Sequence, residues 1–205
     1  MSASTAVRGA LARGRRLEYF GLGWNVVEGV VSVGAGLFAG STALVGFGVD
    51  SFIESASGGI LLWRLQDHAH HARREERALR LVGASFFLLA AYVAFEAARS
   101  LVLREPPDAS WPGIVIAALS LAVMPWLARQ KRKVAGDLGS RALVADSRQT
   151  DLCAYLSAIL LGGLLLNALL GWWWADPVAA LIMAPIIANE GREAWKGETC
   201  DDCCA

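Results

Sequence analysis

Two acidic residues stand four positions apart within a long apolar stretch of the chain. Asp50 and Glu54 lie inside the segment Ser41–Trp63, which has enough residues to cross a bilayer and contains no Lys or Arg. In an α-helix, side chains at positions i and i+4 share a face, with Cβ atoms about 6 Å apart. An ionised carboxylate at membrane depth costs about 2.5 kcal/mol or more, so such groups usually face a cavity, a partner or an ion. The pair predicts half of a cation site, and the alternative is a salt bridge to another helix.

A second polar group lies at the start of the fifth apolar segment, Ala142–Leu170. Asp146, Gln149, Thr150 and Cys153 follow one another at spacings of 3, 4 and 7 from the first, which puts them on one helix face. Carboxylate, amide and thiolate ligands around a shared cavity would bind a divalent transition ion, and the thiolate favours Zn²⁺ or Cd²⁺ over Mg²⁺ or Ca²⁺. Alternatively, Cys153 is a small packing residue and Gln149 bonds across helices.

The composition predicts the elements that position these side chains. The chain has 205 residues, of which 55% are hydrophobic and 19% charged, and its mean hydropathy is +0.43. The apolar residues form six separate blocks, each close to or above the ~20 residues needed to span a bilayer, which indicates an all-α, polytopic membrane protein. The blocks are Leu17–Ala39, Ser41–Trp63, Leu79–Leu103, Trp111–Ala128, Ala142–Leu170 and Pro177–Ala194. Asp176 before Pro177 predicts the N-cap of the last helix.

The positions of the basic residues predict the orientation. Lys and Arg concentrate in the N-terminus, in the segments 64–80 and 129–141, and near the C-terminus. With six spans, the positive-inside rule then places both termini in the cytoplasm. The expected location is the inner membrane of the cell. We expect a basic N-terminus at residues 1–16, a six-helix transmembrane cation-transport domain at 17–195 and a Cys-rich tail at 196–205. No cleavable signal peptide is evident.

These motifs resemble those of the cation diffusion facilitator, or cation efflux, family. The stretch ALVGFGVDSFIES is similar to the family's second-helix pattern of two acids four apart, and LVADSRQTDLCAYLSA resembles its ADxxHxxxD segment. The ADP sequence before the last helix also matches. The resemblance covers Leu17 to Trp195 and implies six helices with both termini inside.

The resemblance implies a transport site on the second and fifth helices. In the family this site carries Zn²⁺ or a related ion, exchanged against protons by alternating access, usually in a homodimer. Asp50 and Glu54 take the second-helix positions, while Gln149 stands where the family commonly has His and Cys153 where it has Asp. Asp146 is expected to act as a gate or as an acid behind the ligands.

The expected substrate is a divalent metal ion, with Zn²⁺ first and Cd²⁺, Co²⁺, Fe²⁺, Ni²⁺ and Mn²⁺ as alternatives, and no organic cofactor is expected. Family members often carry a cytoplasmic dimerising domain after the sixth helix, which this sequence does not include. A homodimer would therefore form through the membrane helices, where Gly34, Gly36 and Gly40 permit close contact.

Two further groups of metal-ligand side chains occur in segments predicted to be cytoplasmic. They are Asp67, His68, His70 and His71 between the second and third helices, and Cys200, Cys203 and Cys204 in the tail. Imidazole with carboxylate suits Zn²⁺, Cu²⁺ or Ni²⁺, and a cysteine cluster in a reducing compartment favours metal capture over a disulfide. The alternatives are an exposed charged loop without ligands and a redox-active or disordered tail.

Three classes of function remain open at the level of sequence. The first is a secondary transporter that exports a divalent transition metal, and the second is a non-transporting metal-binding sensor or partner module. The third is an intramembrane aspartyl protease, because the segment from Gly46 to Asp50 superficially resembles a GxGD motif, although it has one residue too many. We predict that the protein is not an enzyme. The basic segments are interpreted as topology determinants, so no nucleic-acid partner is expected.

Overall fold

The structure, a computed structural model, describes residues 3–66, 72–139 and 141–196. All regular elements in these ranges are α-helices, which confirms the all-α prediction. The six helices are α1 (Ala3–Ala39), α2 (Thr42–Gln66), α3 (Ala72–Leu103), α4 (Trp111–Leu138), α5 (Arg141–Leu170) and α6 (Ala175–Lys196). The predicted histidine loop site at residues 67–71 and the predicted cysteine cluster at 200–204 lie outside the described residues.

The fourth helix is longer than its apolar block. The basic stretch 129–138, expected to connect two helices, forms the last turns of α4. Its Arg, Lys and Gln residues are good helix formers, so propensity carries the helix beyond the apolar segment. The helix ends at Gly139, which adopts a left-handed conformation with φ of 60° and donates its backbone N–H to the last turn. Basic side chains of this stretch therefore belong to the helical bundle.

Four of the described helices are long and apolar enough to cross a membrane, judged by length and composition. They are the segments Gly9–Ala39, Gly83–Leu103, Trp111–Leu138 and Asp146–Leu170. The two other helices, α2 and α6, both carry acidic residues within their length, and acids lower the mean hydropathy of a helix.

Contacts between the connecting segments show that successive helices run in opposite directions. The backbone N–H of Asp108 donates to the carbonyl of Ala39 at 2.8 Å, which joins the α3–α4 connection to the end of α1. The side chain of Asn167, near the end of α5, donates to the carbonyl of Pro107 at 3.0 Å. Residues 40–41, 104–110 and 171–174 thus gather at one end of the bundle, called here the turn end. The opposite end holds the start of α1 and is called the N-terminal end.

A polar contact at the turn end joins the starts of α2 and α6. Ser41 caps α2 by accepting a hydrogen bond from the N–H of Leu44 at 3.1 Å, and its hydroxyl donates to Asp176 Oδ1 at 2.5 Å. Asp176 Oδ2 also accepts from the N–H of Ala43. The sequence predicted that Asp176 would cap a helix beginning at Pro177, but α6 begins two residues earlier, at Ala175, and the carboxylate contacts the start of α2 instead.

Close backbone contacts fix two helix pairs. A Cβ at Gly48 of α2 would lie 2.7 Å from the backbone nitrogen of Val33 in α1, and a Cβ at Gly83 of α3 would lie 2.8 Å from the carbonyl oxygen of Gly191 in α6. Both distances are too short for a side chain, so glycine is required at each crossing. The bundle interior is filled by apolar side chains from α2 to α6, among them Phe47, Phe86, Met124, Leu160 and Met183.

Candidate metal centre

Three carboxylates from two helices meet inside the bundle. Asp50 and Glu54 project from successive turns of α2, and Glu190 projects from α6. One oxygen atom from each lies within 4.8 Å of the other two. Metal–oxygen distances of about 2.0 to 2.6 Å place opposed ligands roughly 4 to 5 Å apart, so a single cation between them would contact all three. The three residues are 0%, 6% and 6% exposed, respectively.

Most oxygen atoms of this group have no hydrogen-bond partner. Both carboxylate oxygens of Asp50 and both of Glu190 are buried and unpartnered, as is Glu54 Oε1. Glu54 Oε2 accepts a hydrogen bond from Asn25 Nδ2 of α1 at 3.1 Å. A buried acceptor without a partner costs about 1–3 kcal/mol, and more when charged. Three carboxylates that meet within 4.8 Å, with five of their six oxygens unpartnered, are the arrangement that a divalent cation would satisfy.

The residues predicted on the fifth helix lie beside this group. Cys153 is fully buried, and its Sγ lies 3.9 Å from Oε2 of Glu28 in α1. Its sulfur is not one of the atoms that lie within 4.8 Å of one another. Gln149 lines the same cleft as Glu54. The structure therefore brings Asp50 and Glu54 together with Glu190, which the sequence analysis did not select.

Glu28 connects four helices next to the carboxylate group. Its Oε2 accepts from Ser51 Oγ of α2 at 3.2 Å, and its Oε1 accepts from Ser120 Oγ of α4. Trp24 Nε1 also donates to that serine hydroxyl, at 3.1 Å. The carboxylate of Glu28, unlike those of Asp50 and Glu190, is therefore fully partnered by protein side chains.

A small cleft between α1, α2, α4 and α5 reaches Glu54. Its polar lining residues are Glu18, Asn25, Glu54, Ser55, Lys131, Asp146, Gln149 and Thr150. Across this cleft the ammonium of Lys131 in α4 donates to Asp146 Oδ2 of α5 at 2.5 Å and to Glu18 Oε2 of α1 at 3.2 Å. Asp146, predicted to be a gate or an acid behind the ligands, thus lines the same cleft as Glu54.

The sequence held a signal for Glu190 but not for Lys131. Glu190 is an acid inside the last apolar block, as Asp50 and Glu54 are inside the second, and the same reasoning would have selected it. Lys131 belongs to the run RQKRK, in which several basic residues follow one another. Sequence alone does not distinguish the one that turns inward, because the phase of α4 against its neighbours decides this.

Comparisons with known proteins identify the family of the chain. A family model described as the cation efflux transmembrane domain matches residues 20–196. An uncharacterized transporter of Synechocystis sp. is 28% identical over 160 residues, which cover 74% of this chain and 52% of the relative. The cation-efflux pump FieF of Shewanella oneidensis is 25% identical over 170 residues, covering 76% and 55%. Transmembrane protein 163 of Xenopus laevis is 27% identical over 154 residues, covering 74% and 55%. The chain spans about half the length of these curated relatives.

Proposed function

The chain belongs to the cation efflux family, and we propose that it is a secondary transporter that exports a divalent transition-metal cation from the cytoplasm. The single observation that carries the proposal is the buried group of Asp50, Glu54 and Glu190, whose oxygens lie within reach of one cation and mostly lack partners. One relative is named a cation-efflux pump, which supports the direction and the class of substrate.

The cleft supports a route for the ion. Basic residues concentrate at the N-terminal end of the bundle, and by the positive-inside rule this end faces the cytoplasm. A cation would enter there, pass Lys131 and Asp146, and reach Glu54 first. Release to the other side requires a second conformation in which the turn end opens, and the helices would alternate between the two.

Proton exchange follows from the chemistry of the ligands. A carboxylic acid or a thiol must lose its proton to bind a metal ion, so loading the site releases protons and emptying it takes them up. Alternating access would couple these steps as antiport. Gln149 does not titrate, so the exchanged protons are proposed to reside on an acid such as Glu54 or on the thiol of Cys153. Export through a homodimer in the inner membrane completes the proposal, with Zn²⁺ as the ion that the family resemblance favours.

The roles of the remaining predicted residues stay proposals. Gln149 and Cys153 are proposed to line the site from α5, and Asp146 to control entry. The histidine loop at 67–71 and the cysteine tail at 200–204 are proposed to collect ions at the cytoplasmic side.

The test is metal flux in proteoliposomes that contain a metal-sensitive dye. Asp50→Asn is expected to lower the transport rate at subsaturating metal by about tenfold or more, equivalent to at least about 1.4 kcal/mol of ligand interaction. Glu96→Gln is the matched control, because Glu96 pairs with Arg99 at the surface, 3.0 Å away, and should transport normally. Normal transport by both Asp50→Asn and Glu54→Gln would refute the site. Tight binding without flux in the wild type would favour the non-transporting metal-binding module.

A further inference from the structure

The geometry points to Glu190 as a direct ligand of the transported cation. We propose that Glu190, Asp50 and Glu54 form an all-carboxylate site whose oxygen ligands admit Mn²⁺ and Fe²⁺ without the strong preference for Cd²⁺ that a thiolate ligand imposes. The inference rests on the proposed function, and it replaces the ligands expected on α5 with one from α6.

The first argument is the convergence of α2 and α6. The two helices start together at the turn end, where Ser41 contacts Asp176, and therefore run in the same direction. At 1.5 Å per residue, Asp50 and Glu54 lie roughly 12 and 18 Å below the start of α2, and Glu190 lies roughly 22 Å below the start of α6. Although Glu190 is offset along the helix axes by roughly 4 Å from Glu54 and roughly 10 Å from Asp50, one of its oxygens lies within 4.8 Å of an oxygen of each.

The second argument is that Glu190 is buried without a partner. Its side chain is 6% exposed, and neither Oε1 nor Oε2 accepts a hydrogen bond. None of the ion pairs found among residues 3–66, 72–139 and 141–196 includes it. The nearby Glu193 instead accepts a hydrogen bond from Asn189, at 2.9 Å. A buried carboxylate of this kind next to two others is stable only with a cation or with protons between them.

The third argument concerns how Glu190 is held at its height. The residue after it, Gly191, packs against α3, where a Cβ would lie 2.9 Å from Phe86 Cβ and 3.1 Å from the carbonyl of Gly83. This backbone contact leaves α6 little freedom to slide or rotate beside α3. The carboxylate of Glu190 is therefore presented to Asp50 from a fixed position, as coordination of an ion requires.

The fourth argument removes the thiol from the ligand set. Cys153 Sγ contacts Glu28, whose carboxylate is itself held by Ser51 and Ser120. The sulfur lies outside the group of three oxygens that one ion would contact. With the thiol removed, the donors that remain in this group are carboxylate oxygens, the ligands that suit harder ions such as Mn²⁺.

The test measures metal binding by the purified full-length protein. Mn²⁺ binding is followed by loss of the free-ion electron paramagnetic resonance signal, and Cd²⁺ affinity by competition. Glu190→Gln is expected to weaken Mn²⁺ binding by tenfold or more. Glu193→Gln, three residues further along α6, is the matched control and is expected to leave both affinities within about twofold of wild type.

Metal-free thermal stability separates a ligand from a structural residue. Because Glu190→Gln removes a buried charge that no described protein group balances, the metal-free variant should be at least as stable as wild type, and only stabilisation by added Mn²⁺ should be lost. A metal-free variant that unfolds well below wild type would assign Glu190 a structural role and overturn the inference.

Three results would contradict the inference while leaving the transport proposal intact. They are unchanged Mn²⁺ binding in Glu190→Gln, a large loss of Cd²⁺ affinity in Cys153→Ala, and Cd²⁺ binding several orders of magnitude tighter than Mn²⁺ in the wild type. Conversely, binding with the expected pattern but no flux in proteoliposomes would sustain the ligand assignment and refute transport.

Discussion

Replacement of Lys131 by Met should destabilise the protein strongly although it introduces an apolar side chain. The ammonium side chain is 5% exposed and is bonded to Asp146 at 2.5 Å and to Glu18 at 3.2 Å. Removing it leaves two buried carboxylates facing each other without a countercharge. Breaking a buried ion pair in this way costs about 3–5 kcal/mol. For a chain of about this size, 1 kcal/mol shifts the melting temperature by about 2–4 °C, so a loss of roughly 6–20 °C is expected.

The assay is thermal unfolding of the purified protein in detergent at neutral pH. The matched control removes all three charges together in the variant Glu18→Leu, Lys131→Met, Asp146→Leu. This variant should recover most of the lost stability, because replacing an entire buried ion group by apolar residues of similar volume is often nearly neutral. Arg13→Ala removes the exposed pair with Asp137 and should change stability by less than about 1 kcal/mol. A Lys131→Met protein that melts with the wild type, or a triple variant that is no better than the single one, would refute the reasoning.

Two further predictions concern the helix contacts that position the carboxylates. Asp176→Ala should lower the free energy of unfolding by about 1–2 kcal/mol, because Ser41 and the N–H of Ala43 at the start of α2 lose their hydrogen-bond acceptor. Ser41→Ala should lower it by a similar amount. The double variant should lose less than the sum of the two, and a double-mutant cycle measured by thermal unfolding would reveal this. Gly83→Ala should weaken Mn²⁺ binding at least severalfold by forcing α3 away from Gly191, while Gly34→Ala, where a Cβ meets no atom within 4 Å, should bind normally. Equal binding by the two glycine variants would contradict the assigned role of the α3–α6 contact.

The helices were predictable because apolar blocks of membrane length leave few alternatives. The ends of the helices were less predictable from the sequence. The extension of α4 through its basic stretch brought Lys131 into the bundle. Lys131 is buried, whereas the next residue, Arg132, pairs with Asp151 at the surface. Successive residues differ by about 100° in direction, so one run of like charge serves both an interior and an exterior role.

Part of the candidate site was predictable for the same reason. Spacing placed Asp50 and Glu54 on one face, and the structure brings their carboxylates together. Spacing also placed Gln149 and Cys153 on one face of α5, but it does not say which neighbouring helix meets each side chain. In the structure α1 supplies Glu28 beside the thiol. Long-range packing of this kind depends on helix rotation and crossing, which no local pattern encodes.

The hydrogen bond between Ser41 and Asp176 joins the starts of α2 and α6, so that any spreading of the two helices would pivot about this contact. The ligands lie about 12 to 22 Å from that pivot along the helices. At such a distance, a splay of about 5° separates the carboxylates by roughly 1 to 2 Å, which is the difference between a metal–oxygen bond and no bond. In the proposed transport cycle, a splay about this pivot would open the N-terminal end, where the ion enters, whereas release at the turn end would require the contact between Ser41 and Asp176 itself to separate.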